Sequence, residues 1–305
     1  MDYVLQTNNL TKNYSGKLAV DNVSLNVKKG DIYGFIGQNG AGKTTLMRMV
    51  CGLAMPTSGE VALFGSRDLT RQRRKMGATI ENPALYPTMT AMENMEAQRI
   101  MLGLGIKDKK MCAELLELVG IGDTGKKKAK DFSLGMKQRL MLALSLMGEP
   151  EFLVLDEPTN GLDPVGIKET LEFLQRLNEA RGMAILVSSH ILGELEKIAT
   201  RYGVISNGKM VDEFSADELH IRCGKNLLIS TSDPQRAEGI AKEILPNAHI
   251  TRTPENSIRI KGNIEEAGRI NQVLVESGIT VNALVPEGER LEDYFLRLMG
   301  GVAYA

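Results

Sequence analysis

The sequence predicts an α/β domain built on a parallel sheet, followed by a smaller α+β domain. Three observations lead there. Residues 32–36, 152–155 and 184–187 are compact apolar runs without alternation, as expected of parallel strands covered on both faces. The first of these runs straight into a glycine-rich loop and then into a helical pattern. Past Phe214 the rhythm changes to short strands and helices of a different kind. The length of 305 residues also exceeds what one core usually organises.

Taken in order, residues 3–6 and 18–27 read as strands, Lys28-Lys29-Gly30-Asp31 as a turn, and residues 32–36 as the next strand. Residues 44–51 read as a helix with Leu46, Met47, Met49 and Val50 inward, stopped by Gly52 in a C-cap position. The stretch 88–148 is rich in helical patterns, notably 111–119 and 138–147, and predicts an inserted helical subdomain. After residue 214 the order is strand 227–230, helix 235–245, strands 249–253 and 257–260, helix 264–277 and strand 279–285. That β-α-β-β-α-β order predicts a ferredoxin-like domain, closed by a helix over 291–299. The expected domains are therefore 1–214 and 215–305.

Composition excludes several classes. The net charge of −1 supplies no single-sign field to attract nucleic acid or an anionic membrane surface. The longest apolar stretch, 140–156, is broken by Gly148-Glu149-Pro150, short of the ~20 residues that a membrane-crossing helix needs. Met1-Asp2-Tyr3-Val4 shows no basic region followed by an apolar core, so no secretory signal is expected and the chain reads as cytosolic. Cys51, Cys112 and Cys223 lie far apart without metal-ligand spacing and read as buried thiols in a reducing compartment.

Gly37-Gln38-Asn39-Gly40-Ala41-Gly42-Lys43-Thr44 matches G-x-x-x-x-G-K-[ST] between a strand and a helix that continues through Thr45. Glycines there let successive backbone N–H groups converge on phosphate oxygens, and the helix N-terminus adds positive potential. Lys43 contributes a point charge, and the Thr44 hydroxyl can ligate Mg²⁺. The strand 152–155 ends in Asp156-Glu157, at the end where open α/β sheets place ligand chemistry. Asp156 is expected to hold Mg²⁺, directly or through water, and Glu157 to polarise the water that attacks the γ-phosphorus of ATP.

With Asp131-Phe132-Ser133-Leu134-Gly135-Met136-Lys137-Gln138-Arg139 between these motifs, and Gly161-Leu162-Asp163 and then His190 after them, residues 1–214 resemble the nucleotide-binding subunits of ABC transporters. Within that group, Ser-Leu-Gly-Met at 133–136, Glu81-Asn82-Pro83 and Leu291-Glu292-Asp293-Tyr294-Phe295 are similar to the bacitracin and lantibiotic resistance type. The resemblance implies a P-loop cassette whose two copies pack head to tail, each ATP lying between the glycine loop of one and Ser133, Leu134, Gly135 and Met136 of the other. A hydroxyl and backbone donors at a helix start suit a γ-phosphate, although Ser133 alone would be an ordinary N-cap. It also implies that Tyr14 stacks on adenine, that His190 contacts the γ-phosphate and steadies Glu157, and that Asp163 communicates across the dimer. A separate transmembrane permease would be the partner, docked through residues 77–95, with the chain on the cytoplasmic membrane face. His220 and His249 match no such position, Tyr14 could equally be a half-buried strand-end residue, and Lys126-Lys127-Lys128 reads as a solvated face.

Two positions depart from the usual pattern. Glu81 stands where most cassettes have Gln; it could still ligate Mg²⁺ through oxygen, adding negative charge near the phosphates. Leu134 stands where Gly is usual and could restrict the approach of the signature loop. Two other classes fit less well. A soluble ABC-type protein of translation or repair would show two cassettes or a long coiled-coil insertion, and an unrelated P-loop kinase would lack the Ser-Leu-Gly-Met helix. The 215–305 domain reads as a regulatory or dimer-stabilising module whose pattern hosts too many functions to decide.

Overall fold

The computed structural model describes residues 3–81, 85–105, 109–223, 226–246, 248–253, 256–261, 264–287 and 291–298. The chain divides into two units, 1–216 and 217–305. The first opens with β1 (Tyr3–Tyr14), β2 (Lys17–Val23), β3 (Asn26–Lys28) and β4 (Ile32–Ile36), then α1 (Lys43–Cys51), β5 (Ser58–Leu63), the short α2 (Leu69–Gln72) and β6 (Met76–Thr79). Three helices follow: α3 (Ala91–Met101), α4 (Lys109–Leu118) and α5 (Leu134–Ser145). The sheet resumes with β7 (Phe152–Asp156), α6 (Pro164–Arg181), β8 (Ala184–Ser189), α7 (Leu192–Leu195), β9 (Arg201–Ser206) and β10 (Lys209–Ser215).

The central sheet has six strands in the order β10-β9-β4-β8-β7-β6, parallel except for the β9–β10 hairpin. Every residue of β4, β7 and β8 is buried, the physical reason that their sequences do not alternate. A second, antiparallel sheet forms around β1, which pairs with β2, β3 and β5. Tyr33 and Phe35 of β4, Leu46 and Met47 of α1, and Leu5, Leu10 and Leu63 of the second sheet belong to one core, so α1 is clamped by both sheets. α3 starts with a capping box in which Thr90 and Glu93 satisfy each other's backbone N–H groups. Lys128 bonds Glu93 at 3.0 Å, so the lysine run at 126–128 is not wholly a solvated face.

Several local expectations shift. The strand expected at 3–6 continues to Tyr14, because its polar residues are held by pairing on both sides rather than by an apolar pattern of their own. The strand expected at 18–27 is broken into β2 and β3 around Ser24 and Leu25, where the Thr7 hydroxyl donates to Val23 O and accepts from Leu25 N. Short β6, with Gly77 and Ala78, carries too little apolar signal to be read alone.

The second unit runs α8 (Ala216–Arg222), which starts at the division, then β11 (Asn226–Thr231), α9 (Pro234–Ile244), β12 (Ile250–Thr253), β13 (Ser257–Lys261), α10 (Ala267–Glu276), β14 (Val281–Glu287) and α11 (Leu291–Leu298). Its four strands form an antiparallel sheet in the order β12-β13-β11-β14. Alternation places Leu227 and Ile229 of β11 with Ile258 and Ile260 of β13, against Ala237 and Ala241 of α9 and Ile270 and Leu274 of α10. The helix expected over 264–277 opens as a 3₁₀ turn at Ile264–Glu266. Among the described residues no helix is long and apolar enough to cross a membrane.

The fully buried Leu186 of β8 belongs to the same core as Leu46 and Met47 of α1. Leu186→Ala should lower stability by about 3 kcal/mol through lost transfer energy and a residual cavity, measured as an earlier urea-unfolding transition.

Candidate active site

Residues 37–42 connect β4 to α1 and turn sharply enough to need left-handed backbone. Gly42 has φ 113°, and a Cβ there would lie 2.4 Å from the Ala19 carbonyl oxygen. No side chain caps α1, so its first backbone N–H groups stay available to an anion. The loop folds around Lys43, only 5% exposed. The Lys43 ammonium donates to Gly37 O at 2.6 Å and Gln38 O at 3.2 Å, and pairs with Glu157 Oε1 at 3.0 Å. A buried charge needs such compensation, and the carbonyls and carboxylate together provide it.

The parallel register of β7 and β8 sets Asp156 opposite Ser188. Asp156 Oδ2 accepts from the Thr44 hydroxyl at 2.7 Å, and Oδ1 accepts from the Ser188 hydroxyl at 2.6 Å. Ser188 Oγ in turn accepts from the backbone N–H of Glu157 at 2.9 Å. Two residues beyond Ser188, His190 reaches the Glu157 carboxylate, with Nδ1 2.5 Å from Oε2. Glu157 thus stands between a lysine and a histidine, with both carboxylate oxygens engaged. Its φ of 49° is uncommon for a residue with a side chain, and the surrounding bonds hold it there.

Thr44 and Asp156 are hard oxygen donors side by side at the mouth of the glycine loop. One carboxylate and one hydroxyl suit an ion that keeps water and phosphate oxygens as its other ligands. Glu81 is not joined to this pair: its Oε2 is 2.5 Å from Arg48 NH2, and both side chains are substantially exposed. Asn82 and Pro83 lie outside the described residues.

A cleft of about 450 Å³ lies over the loop. Asn39, Gly40 and residues 42–45 line it with Glu157, Tyr14, Lys17, Leu18, Ala19, Asn207 and Gly208. Tyr14 ends β1 and is 45% exposed, and Lys12 Nζ lies 4.9 Å from its ring centroid. Sequence reasoning missed the β9–β10 turn. Asn207 and Gly208, with φ of 49° and 79°, form it, and Gly208 N donates to Ala41 O at 2.9 Å, strapping the phosphate loop. The signal was present as Asn-Gly between two apolar runs, a strong hairpin marker. Ser188 is the other unforeseen member; nothing in its sequence setting marks it.

Ser133 caps α5, its hydroxyl accepting from Met136 N at 3.3 Å, and Asp163 caps α6, accepting from Gly166 N at 3.0 Å. With Leu134, Gly135, Met136, Gly161 and Leu162 they line a second cleft of about 450 Å³, which shares no lining residue with the first. Leu134, 47% exposed, lies across Gly161: its Cδ2 is 2.8 Å from where a Cβ on Gly161 would stand.

This fold and site meet their relatives in sequence. Residues 20–160, from β2 through the Asp156-Glu157 strand end, match the ABC transporter family, and the chain belongs to the ABC transporter ATP-binding proteins, as an ATPase subunit. It is 40% identical to the bacitracin transport ATP-binding protein BcrA of Bacillus licheniformis, over 99% of each chain. It is 44% identical to the lantibiotic transport ATP-binding protein SrtF of Streptococcus pyogenes over 214 residues, 70% of this chain and 92% of that one. Among solved structures, a dimeric bacterial ABC transporter cassette, MJ0796, is similar at 28% identity and a TM-score of 0.64, over 70% of this chain and 98% of that one.

Cys51 ends α1 and packs against the core. Desolvation pushes its thiol up to about 12, with Arg73 working the other way. Its protonated form is therefore favoured by folding, a contribution present below the ordinary thiol range and lost as pH rises toward 12. At pH 8 Cys51 should alkylate with iodoacetamide at least about tenfold more slowly in the folded chain than in urea, read by peptide mass spectrometry.

Proposed function

We propose that this chain powers export of a peptide antibiotic, or a related drug or lipid-linked molecule, through a separate permease, from the cytoplasmic face of the membrane. The cargo class rests on the bacitracin and lantibiotic transport proteins it resembles. The mechanism rests on one observation, the placement of Glu157 between Lys43 and His190 beside the Thr44–Asp156 pair.

In this reading the adenine of ATP stacks on Tyr14, and the phosphates settle in the segment Gly37, Gln38, Asn39, Gly40, Ala41, Gly42, Lys43, Thr44 and Thr45, taking its backbone N–H groups other than those of Gly37 and Ala41, which stay on Ser189 O and Gln38 O. Lys43 turns its ammonium from Glu157 to the phosphates. Thr44 and Asp156 would hold Mg²⁺, which would neutralise phosphate charge, and Glu81 would join them if it released Arg48. Glu157 Oε1, freed of Lys43, orients the attacking water and accepts its proton. His190 keeps Nδ1 on Glu157, fixing the ring so that Nε2 faces the γ-phosphate.

Two copies would close head to tail around two ATP molecules, as the dimeric cassette structure suggests. Ser133, Leu134, Gly135 and Met136 then meet the γ-phosphate held by the other copy, and Asp163 signals across the interface. Loss of that phosphate removes the contacts and loosens the pair. Residues 1–214 act as the nucleotide-binding domain, with 88–148 as its helical subdomain. Residues 215–305 act as an accessory domain of ferredoxin-like type, a reading supported by the β-α-β-β-α-β order and the β12-β13-β11-β14 sheet.

Glu157→Gln should bind ATP but lose hydrolysis, accumulating an ATP-bound dimer in light scattering; retained turnover would remove Glu157 as the base. Purification of the tagged chain from detergent-solubilised membranes should bring a polytopic permease, identified by mass spectrometry. Recovery of soluble or ribosomal partners alone would overturn the transport role.

A further inference from the structure

Glu194, on α7, is 8% exposed. Its Oε2 accepts from the Thr159 hydroxyl at 2.6 Å and lies 3.3 Å from the Ser189 hydroxyl. Thr159 and Ser189 are themselves 5% and 3% exposed. No Lys, Arg or His pairs with Glu194 among the described residues. A carboxylate buried without a cation is costly and keeps its place only where hydroxyl or N–H donors meet it. Here the donors come from two different segments, the turn after β7 and the last residue of β8.

Thr159 lies in the turn between Glu157 and Asp163, which closes through Asn160 N to Glu157 O at 3.1 Å and Leu162 N to Thr159 O at 3.1 Å. Ser189 immediately precedes His190, and its oxygen also receives Ile191 N at 2.9 Å. Glu194 therefore clips the turn that follows Glu157 to the loop that presents His190. Ser188 makes the matching clip on the other side, through Asp156 and the Glu157 N–H. Glu157 is held in left-handed backbone between the two, and such a conformation persists only where its surroundings over-determine it.

We infer that Glu194, through Thr159, is a positioning residue for hydrolysis, fixing the separation and orientation of Glu157 and His190. It is not among the residues that line the cleft over the glycine loop. The inference rests on the proposed roles of Glu157 and His190. Small misplacement of a reacting group is expensive in rate, whereas ATP affinity, set by the glycine loop and Tyr14, is not expected to depend on this clip.

The test uses the purified full chain, with ATP hydrolysis followed across ATP concentration and the thermal midpoint recorded for each variant. Thr159→Val, which keeps the shape and removes the donor, should lower kcat about tenfold with KM for ATP within about twofold of the parent. Thr159→Ser, which returns the hydroxyl, should restore kcat. Glu194→Gln should lower kcat in the same direction, and combining it with Thr159→Val should add little further loss. A lower thermal midpoint with kcat unchanged would make the clip merely structural and overturn the inference, as would a loss carried wholly by KM. Glu157→Gln serves as the reference: if it is inactive while Thr159→Val is fully active, this inference alone fails, and if it hydrolyses ATP, the assignment of the base fails first.

Discussion

The site depends on keeping one ammonium out of water. Lys43 is nearly buried, and its loop bends so that Gly37 and Gln38 turn their carbonyls onto it while Glu157 comes from a different strand to balance its charge. Meeting that requirement joins parts of the chain more than a hundred residues apart. It also ties the phosphate loop, the end of β7 and the loop after β8 into one charge-coupled group, in which the histidine is reached only through the glutamate. Removing Glu157 would leave the nearly buried Lys43 with only the two carbonyls as compensation.

Much of this is legible in the sequence. The glycine loop, the Asp156-Glu157 strand end and His190 lie on one sheet because the apolar runs before them are parallel strands, and side chains at the ends of neighbouring parallel strands converge by register alone. What escaped sequence reasoning was whatever depends on neighbours rather than on local pattern. Ser188 becomes a bridge between Asp156 and Glu157 only because β7 and β8 are adjacent. Glu194 carries no local mark; it matters only because α7 brings it against Thr159 and Ser189. The Asn207-Gly208 turn was marked by its composition, but the loop it straps is a hundred and more residues earlier. β1 was cut short for the same reason: Asn8 and Asn9 look like a turn, yet partners on both sides keep the strand running.

The two departures from the usual family pattern resolve differently. Glu81 finds a local cation in Arg48, one helical turn beyond Thr44, so its added charge is compensated where it stands rather than pressed against the phosphates. A pair this exposed is worth little in stability and is easily broken. Leu134 has the opposite character. It is an apolar side chain laid over a glycine, adding surface to the start of α5 where most cassettes have none.

That contact also limits how the sequence can drift. Position 161 is held to glycine twice, by its left-handed φ of 77° and by the leucine lying across it. Replacing Leu134 with something smaller removes only the second restriction, so the backbone still demands glycine at 161. The two restrictions overlap: glycine at 161 is required by its own backbone whatever stands at 134, and Leu134 adds a steric bar at the same position.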